Sequence, residues 1–488
     1  MVVVGSGPNG LAAAVTLARA GLSVLVLEAE PESGGGTRRV HLAPGGDVWH
    51  DLCSAVHPLA LASPFFTEFD LSRRGIRLVA PPVSYAHVLD ARRTALAYRD
   101  LDRTAAALGA DRRRWEALFR PLRAHHRAIL QSVFFGGPTD PRSLAELVRA
   151  APGLMLMLSQ ATPLWNAPWR TAEAPALLTG VAAHAGSPLP GAVATGTLLL
   201  LGLIAHTEGW PIPIGGSHVI TRALEDDLRA HGGVVVTGYR VHRPADLPPA
   251  HAYLFDTHPA DLDAIMGTSS ATVRLGRPGV GRSSGVGVAK IDFELSGAVP
   301  WRDHRLAEAA TVHLGGSRRV LAASERSARA GQGHGVVLVS DPAVVDPTRE
   351  HGGLRPLWTY AHVATGSRAD VTAAVQHEIE TAAPGFSDLV VARRLITAAE
   401  LSDSNANYHG GDIALGVRQL PDALLGTNRR LRPYGTARDD VYCCSAATPP
   451  GPGVHGMCGY RAAVTVLRER FGVDKPPELK PSRHLDPP

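Results

Sequence analysis

Residues 1–36 read MVVVGSGPNGLAAAVTLARAGLSVLVLEAEPESGGG, and their pattern decides the fold. Val2, Val3 and Val4 are a short β-branched run of the kind a buried parallel strand uses. Gly5, Gly7 and Gly10 follow at G-x-G-x-x-G spacing. Leu11 to Ala20 then predicts a helix, apolar and free of breakers, which Gly21 ends. Leu22 to Leu27 predicts a second strand, closed by Glu28. Strand, glycine turn, helix, strand and acid in this order make a dinucleotide-binding βαβ unit. Its glycines let the backbone turn tightly and approach a pyrophosphate at the positive helix N-terminus. Glu28 stands 18 residues after Gly10, where a carboxylate accepts hydrogen bonds from a ribose.

The next residues favour FAD over NAD. Glu28 is followed by AEPESGGGTRRV, in which Gly34, Gly35 and Gly36 form a second bare-backbone stretch backed by Thr37 and Arg38. A longer flavin dinucleotide needs such cover over its pyrophosphate and ribityl chain; the plain alternative is a flexible surface loop. An acid at the strand end argues against a 2′-phosphate in this site.

Outward from this unit, the chain runs to 488 residues, too many for one hydrophobic core, so two domains are expected. Hydrophobic residues make up 45% and charged residues 19%, which suits an ordinary globular protein. Lys+Arg 49 against Asp+Glu 45 leaves a net charge of +4, which gives no nucleic-acid signal. The Arg-rich spots at 112–114 and 429–432 lack interleaved aromatics and read as solvated faces. The four cysteines, Cys53, Cys443, Cys444 and Cys458, show no zinc spacing and no C-x-x-C pair, so no metal site is expected. Adjacent Cys443 and Cys444 read as buried thiols. With a chain that opens directly on its first strand and leaves no room for a leader, this predicts a cytoplasmic, reducing setting. The longest apolar run, Leu198 to Ala205, is far short of the ~20 residues of a membrane span. That run and Leu154 to Leu158 could touch a membrane surface, although buried helix is the commoner use of such runs.

Residues 37–62 leave the nucleotide fold, and HDLCSAVHPLALASPFF looks like a segment crossing a buried site. Short strands are expected between Leu71 and Leu101. Asp102 to Phe134 reads as helix, with Trp115, Leu118, Phe119, Leu122 and Ile129 at three- and four-residue steps. Ser143 to Leu158 reads as another, capped by Ser143 with Glu146 at the capping-box position. Ala174 to Ala185 and Ala192 to His206 complete a helical insertion. Then the character reverts: a helix over Val219 to Ala230, strands at Val234 to Val236 and Tyr239 to Val241, and a strand ending at Asp256. Further strands are expected over 285–314, at Arg393 to Ala399 and at Val441 to Cys444, with helices at Asp370 to Ala383 and Val454 to Arg470. From Lys475 the Pro- and charge-rich tail is expected to fray. The pattern places a nucleotide-binding domain on residues 1–55, 210–280 and 426–475, a substrate-binding domain on 56–209 and 281–425, and a tail on 476–488. Ligands of doubly wound sheets lie beyond the strand C-termini, so the reactive end of the dinucleotide should face the second domain.

With these pieces in order, the chain resembles the phytoene desaturase-like FAD oxidoreductases of the wider amine-oxidase superfamily. The likeness rests on GSGPNGLAAA with Glu28, GGGTR, HPLALASPFF, GWPIPIGG, VAKIDFELSGAVPW, TVHLGG, NYHGGDI and PGPGVHGMCGYRAA, which span almost the whole chain. It implies an α/β fold: a Rossmann-like FAD-binding domain (GR2-type) built from separated segments, plus an α+β substrate domain with a helical insertion. It implies FAD contacts from Gly5, Gly7, Pro8, Asn9 and Gly10, from Glu28 and Ala29, from Gly35, Gly36, Thr37 and Arg38, and from Val241. In such families the last motif lays a helix N-terminus under the flavin, so that Val454, His455 and Gly456 would offer backbone donors to its pyrimidine end, with Gly453 a further FAD contact. Reduction puts negative charge there, and a helix N-terminus stabilises such charge by about 0.3–1 kcal/mol. One departure is visible. The superfamily usually has Gly-Asp or Gly-Glu just before this motif to hold the ribityl hydroxyls; here Ser445-Ala446-Ala447-Thr448 stands in its place, so Ser445 or Thr448 would supply a hydroxyl.

No Ser/His/Asp order or metal-ligand spacing emerges from the 22 histidines. Those inside motifs, His57, His313, His409 and His455, are candidates for the flavin pocket. Trp358, Tyr360 and His362 alternate along a strand and share one face. Lys290, in VAKIDFEL, stands among apolar residues where an unpaired lysine is costly, and Asp292 on the same face is its natural partner. The resemblance implies the other role, a strand lysine near flavin N5. Lys290, His57 and Tyr360 are therefore the expected catalytic residues. The expected activity is that of an FAD-dependent desaturase or dehydrogenase removing a hydride from a largely apolar small molecule, an isoprenoid or secondary metabolite. The alternatives are a redox-neutral flavin isomerase, an amine or alcohol oxidase, or, in another class, a non-catalytic FAD-binding scaffold.

Overall fold

The computed structural model describes residues 1–42, 46–268, 286–416 and 432–481. Parts of the expected nucleotide domain (269–280 and 426–431), three of the four residues of the Arg-rich spot at 429–432 and the last seven tail residues, 482–488, lie outside the described residues.

Two sheets organise the chain. The first has five parallel strands in the order Val441–Cys443, Tyr253–Phe255, Val2–Val4, Leu25–Leu27, Val234–Val236. Each strand is three residues long and drawn from a distant part of the chain, so helices must hold the sheet together. Helix Pro8–Arg19 does this. Its residues from Asn9 to Ala18 are all buried, and it packs on helices Met457–Phe471 and His218–Ala230. Close approach is possible because the facing residues are small: a Cβ on Gly459 would lie 1.8 Å from the Asn9 carbonyl oxygen.

The second sheet has seven strands in the order Val390–Ile396, Val286–Leu295, Arg355–Ala364, Val337–Ser340, Thr311–Leu314, Val83–Val88, Thr94–Tyr98. All pairs are antiparallel except Thr311–Leu314 with Val83–Val88. Strand alternation gives it two faces. Ala289, Ile291, Phe293, Leu357, Ala361 and Val363 pack on the far side with helix Thr372–Ala382. Val288, Leu338, Trp358 and Tyr360 face the helical block that runs from Leu101 to Ala205.

Several sequence expectations change. The long helix over 102–134 is three helices, Leu101–Ala107, Arg112–Ala124 and His126–Phe135; Gly109, with φ +54°, turns the chain between the first two. Asp140, not Ser143, caps helix Pro141–Ser159: its carboxylate accepts the Ser143 N–H at 2.8 Å, and Pro141 occupies the first turn, where proline is favoured. Tyr239–Val241 adds no strand, because Tyr239 N–H bonds the Glu28 carbonyl and the chain crosses the sheet's end. The tail is not frayed over 476–481. Leu479 is fully buried, and the carbonyls of residues 478–480 accept from Arg19 and Arg74. The four cysteines are free thiols. Among the described residues, no helix is long and apolar enough to cross a membrane.

Candidate active site

One cavity of about 1470 Å³ begins at the first glycine turn and ends against the seven-stranded sheet. Its near end is built by the two glycine segments. Gly5 has φ +95°, in the left-handed region that favours glycine, and a Cβ on Gly7 would lie 2.6 Å from Asp256 Oδ2. Gly10 donates its N–H to that same oxygen at 2.8 Å, and a Cβ there would lie 2.2 Å from the Gly5 carbonyl oxygen. The glycines thus serve close approach within the protein as well as toward a ligand, and Gly10 stands behind the cavity wall. Among the described groups, none accepts from the N–H of Gly7 or Asn9, and Asn9 Oδ1 is buried without a partner. These are the donors and the polar side chain that a pyrophosphate at this helix end would use.

Glu28 is buried on the wall. Its Oε2 accepts from Ser6 N–H at 2.8 Å and Ser6 Oγ at 2.5 Å, and its Oε1 accepts from Glu30 N–H at 2.9 Å. A carboxylate has about four lone-pair sites, so one remains for a ribose hydroxyl. Gly35, at φ +54°, lies over Gly7, where a Cβ would come 3.0 Å from the Gly7 Cα. Thr37 Oγ1 donates to the Gly34 carbonyl at 2.8 Å, and Arg38 bonds Gly35 O and Glu30 at 3.1 Å each. Pro8, Asn9, Ala29, Gly36 and Val241 also stand on this wall.

The sequence alone does not single out Asp256. It follows strand Tyr253–Phe255, which pairs with Val2–Val4, opposite the glycine turn, and burial, with the charge of Glu28 adding, pushes it up to about 8. A strand-end acid in FDTHP was the available signal.

At the last motif, Gly453 and Val454 reach the wall, whereas His455 and Gly456 lie behind it. His455 Nδ1 accepts the Met457 N–H at 3.0 Å, and its Nε2 bonds the Gly451 carbonyl at 3.0 Å. It therefore fixes the start of helix Met457–Phe471, and burial lowers its pKa to about 4. Ser445 does not reach the cavity either. Its hydroxyl lies 3.5 Å from Cys443 Sγ, and its carbonyl accepts from Thr448 Oγ1 at 2.7 Å, so neither hydroxyl takes the place expected for a ribityl contact.

His57 is on the wall, buried, with Nε2 2.8 Å from Ser217 Oγ. Burial lowers its pKa to about 4 although nearby Asp51 opposes this, so it is a neutral imidazole near neutral pH. Tyr360 lines the cavity, and burial raises its phenol pKa. Lys290 does not line it. It makes the ion pair with Asp292, whose Oδ1 lies 3.3 Å from His50 Nδ1. Lys290 is close behind the wall: burial pushes the wall thiol of Cys53 up to about 11, and the Lys290 charge pulls it back. Of the other motif histidines, His409 is on the wall and bonds Asp261 at 3.0 Å, while His313 lies one layer deeper, with Nε2 2.8 Å from that of wall residue His184.

The far end is lined by Ile129, Leu147, Leu154, Val193, Leu199 and Leu201 from the helical block, and by Thr311, Leu338, Ser340, Trp358 and Tyr360 from the sheet. The whole exceeds the roughly 300–1,000 Å³ of a site for one drug-sized ligand.

Residues 3–67 match the family model of the NAD(P)-binding Rossmann-like domain. An uncharacterized protein of Mycobacterium tuberculosis is 27% identical over 264 residues, which cover 49% of this chain and 47% of that protein. A Mycobacterium bovis protein, also uncharacterized, matches with the same figures. The chain spans about half the length of the curated relatives it matches. An oxidoreductase from Methanosarcina mazei has a similar structure, with TM-score 0.61 at 14% identity, covering 96% of this chain and 99% of that one. A double mutant of putrescine oxidase follows at TM-score 0.57 and 13% identity, covering 97% and 98%. Cyclohexylamine oxidase from Brevibacterium oxydans gives TM-score 0.56 at 13% identity, covering 96% and 98%. At these identities the likeness is one of fold: a Rossmann-like parallel sheet joined to a second, mostly antiparallel sheet.

Proposed function

We propose that this chain is an FAD-dependent oxidoreductase of the phytoene desaturase-like kind, a desaturase or dehydrogenase acting on a largely apolar small molecule. One observation carries the reading: a single cavity runs from the glycine turns, past Glu28 and Gly453, to an apolar wall of helices and sheet. Bound there, FAD would supply the hydride acceptor. The protein's own part is binding, orientation and exclusion of water. The N–H groups of Gly7 and Asn9 would hold phosphate oxygens, the remaining lone pair of Glu28 a ribose hydroxyl, and Gly35 to Arg38 would cover the middle of the cofactor. The leucine-rich wall would keep water from the reacting carbon.

Two of the similar structures are oxidases named for amines. A cationic amine would call for a carboxylate beside the substrate. Among the described residues, the carboxylates on the cavity wall are Glu28, Glu30, Asp256 and Asp261, all at the nucleotide end. That distribution favours an uncharged substrate. The strands of the parallel sheet fall within residues 1–55, 210–280 and 426–475, and those of the large sheet within 56–209 and 281–425, which supports the two-domain division. Four free thiols suit a reducing cytoplasm. An exposed apolar stripe on helix Pro141–Ser159 supports peripheral membrane contact.

Reconstitution tests the central claim. The purified protein should bind FAD, show flavin absorbance and release FAD, not FMN, on denaturation. A hundredfold excess of FAD over its Kd should stabilise it by roughly 2.7 kcal/mol. Absence of both bound flavin and a thermal shift would refute the reading. Bleaching on anaerobic mixing with substrate then separates net oxidation from isomerisation and from a silent scaffold.

A further inference from the structure

The large sheet sets one row of polar side chains across the end of an otherwise apolar space. Thr311 pairs with Ser340, and Ser340 pairs with Trp358, on three adjacent strands. Directly paired residues point to the same face. All three line the cavity. Thr311 Oγ1, Ser340 Oγ and Trp358 Nε1 are each buried with no hydrogen-bond partner among the described residues. The row extends at one end to Tyr85, whose hydroxyl is also buried without a partner and whose ring lies 4.9 Å from that of wall residue Trp210. At the other end it meets Asp292, which is engaged by Lys290 and His50. Buried hydroxyl and indole groups nearly always find partners, so three orphans in consecutive register mark a place that a ligand completes.

We propose that Thr311, Ser340 and Trp358 form a subsite for the oxygen of a neutral carbonyl or hydroxyl head group on an otherwise apolar substrate. This rests on the reading of the cavity as the substrate site of an oxidoreductase. The row's chemistry selects the head group. An indole N–H only donates, so the ligand atom facing Trp358 accepts. Serine and threonine hydroxyls both donate and accept, which suits a carbonyl or an alcohol equally. Among the described residues, Lys290 and Asp292, the cation and the acid beside the row, are paired with each other, which leaves neither for a carboxylate or an ammonium. A pure hydrocarbon would leave every member of the row unpaired, and sites built to hydrogen-bond a substrate group reject analogues lacking it strongly. The substrate is therefore an oxygenated apolar molecule.

The test uses FAD-loaded protein and four-way comparison of parent, Ser340→Ala, Thr311→Val and Trp358→Phe. The probes are 2-octanone, octylamine and octanoate, and binding is read from flavin difference spectra and calorimetry. The parent should bind 2-octanone at least tenfold tighter than either charged probe. Each variant should lose fivefold or more for the ketone, with unchanged FAD content and unchanged binding of the charged probes. The carbonyl stretch of bound 2-octanone should lie below its value in hexane and move back in the variants. Ketone binding that is absent from the parent, indifferent to all three substitutions, or weaker than that of a charged probe overturns the subsite. FAD content reports separately on the reading beneath it: a parent that holds no FAD refutes the cofactor assignment, whereas FAD-loaded protein indifferent to the ketone refutes this inference alone.

Discussion

Glu28 has two duties at residue scale. It braces the first glycine turn through Ser6 and leaves one lone pair toward the cavity. Glu28→Ala should weaken FAD by about 1.5–3 kcal/mol, the value of a hydrogen bond to a charged group, while the apoprotein stays folded. Titration of FAD into apoprotein checks this, and an unchanged Kd removes Glu28 from the ribose. Lys290 calls for a different measurement. It and Asp292 are each about 1% exposed, so removing one charge leaves the other buried alone. Lys290→Met should cost about 3–5 kcal/mol of stability, and Lys290→Met with Asp292→Leu should recover much of it. Urea unfolding of parent, single and double variants decides, and a single variant as stable as the parent would show that the pair is not holding charge. Legibility at this scale follows distance along the chain. The Lys290–Asp292 pair was readable because both lie on one strand, two residues apart. The Gly10–Asp256 bond, 246 residues apart, was not. Nor was the inward turn of His455, which depends on the loop from Gly451 to Gly456 rather than on any periodicity.

Helix Pro141–Ser159 shows what periodicity leaves open at element scale. Leu147 and Leu154 face the cavity, while Leu144, Val148, Met155 and Leu158 are 53%, 66%, 67% and 57% exposed. The outer four fall on one stripe at 100° per residue. Apolar residues on both faces predict a helix but not which face is wet, so the sequence could place the element and not its outer surface. Leu164, just beyond it, is 71% exposed, and Arg142 and Arg149 are exposed on the helix itself. An exposed apolar stripe with Arg142 and Arg149 on the opposite, polar side of the helix suits shallow insertion into an anionic bilayer surface. The protein should co-sediment with phosphatidylcholine vesicles containing one-quarter phosphatidylserine, less so as salt rises. Val148→Asp with Met155→Asp should leave it in the supernatant with its FAD content intact. Equal pelleting of parent and variant would dismiss the stripe as a docking face. Short elements were the harder ones to foresee. Tyr239–Val241 alternates like a strand, but its backbone is engaged by the Glu28 carbonyl instead of a ladder.

Across the whole molecule, the cavity is assembled from segments hundreds of residues apart, and their burial sets how stability answers to pH. The motifs announced a dinucleotide fold from local spacing, but the polar row of Thr311, Ser340 and Trp358 depends on strand register, which spacing does not encode. Burial holds His57, His87, His206 and His455 at about 4 and His184 at about 3. Unfolded histidines titrate near 6.5. Below that pH the unfolded chain takes up protons that the folded one refuses, so stability is full above 6.5 and is lost as pH falls toward 4. Each neutral imidazole contributes a loss of about 1.4 kcal/mol per pH unit in that window. Asp256 acts with the opposite sign. Its folded pKa of about 8 lies above its unfolded value, so the folded state keeps a proton that the unfolded state releases. Its contribution is full below about 3.8 and disappears as pH rises through 8. The five histidines outweigh one carboxyl on the acid side, and nothing in that group opposes Asp256 on the alkaline side. Urea midpoints measured from pH 5 to pH 9 should therefore peak near neutrality and fall most steeply below 6.5. Asp256→Asn keeps an acceptor for the Gly10 N–H and should flatten the alkaline limb while leaving the acid limb in place. An acid limb no steeper than that of one histidine would mean that these imidazoles take up protons in the folded state, and that the interior around the cavity is wetter than their burial implies.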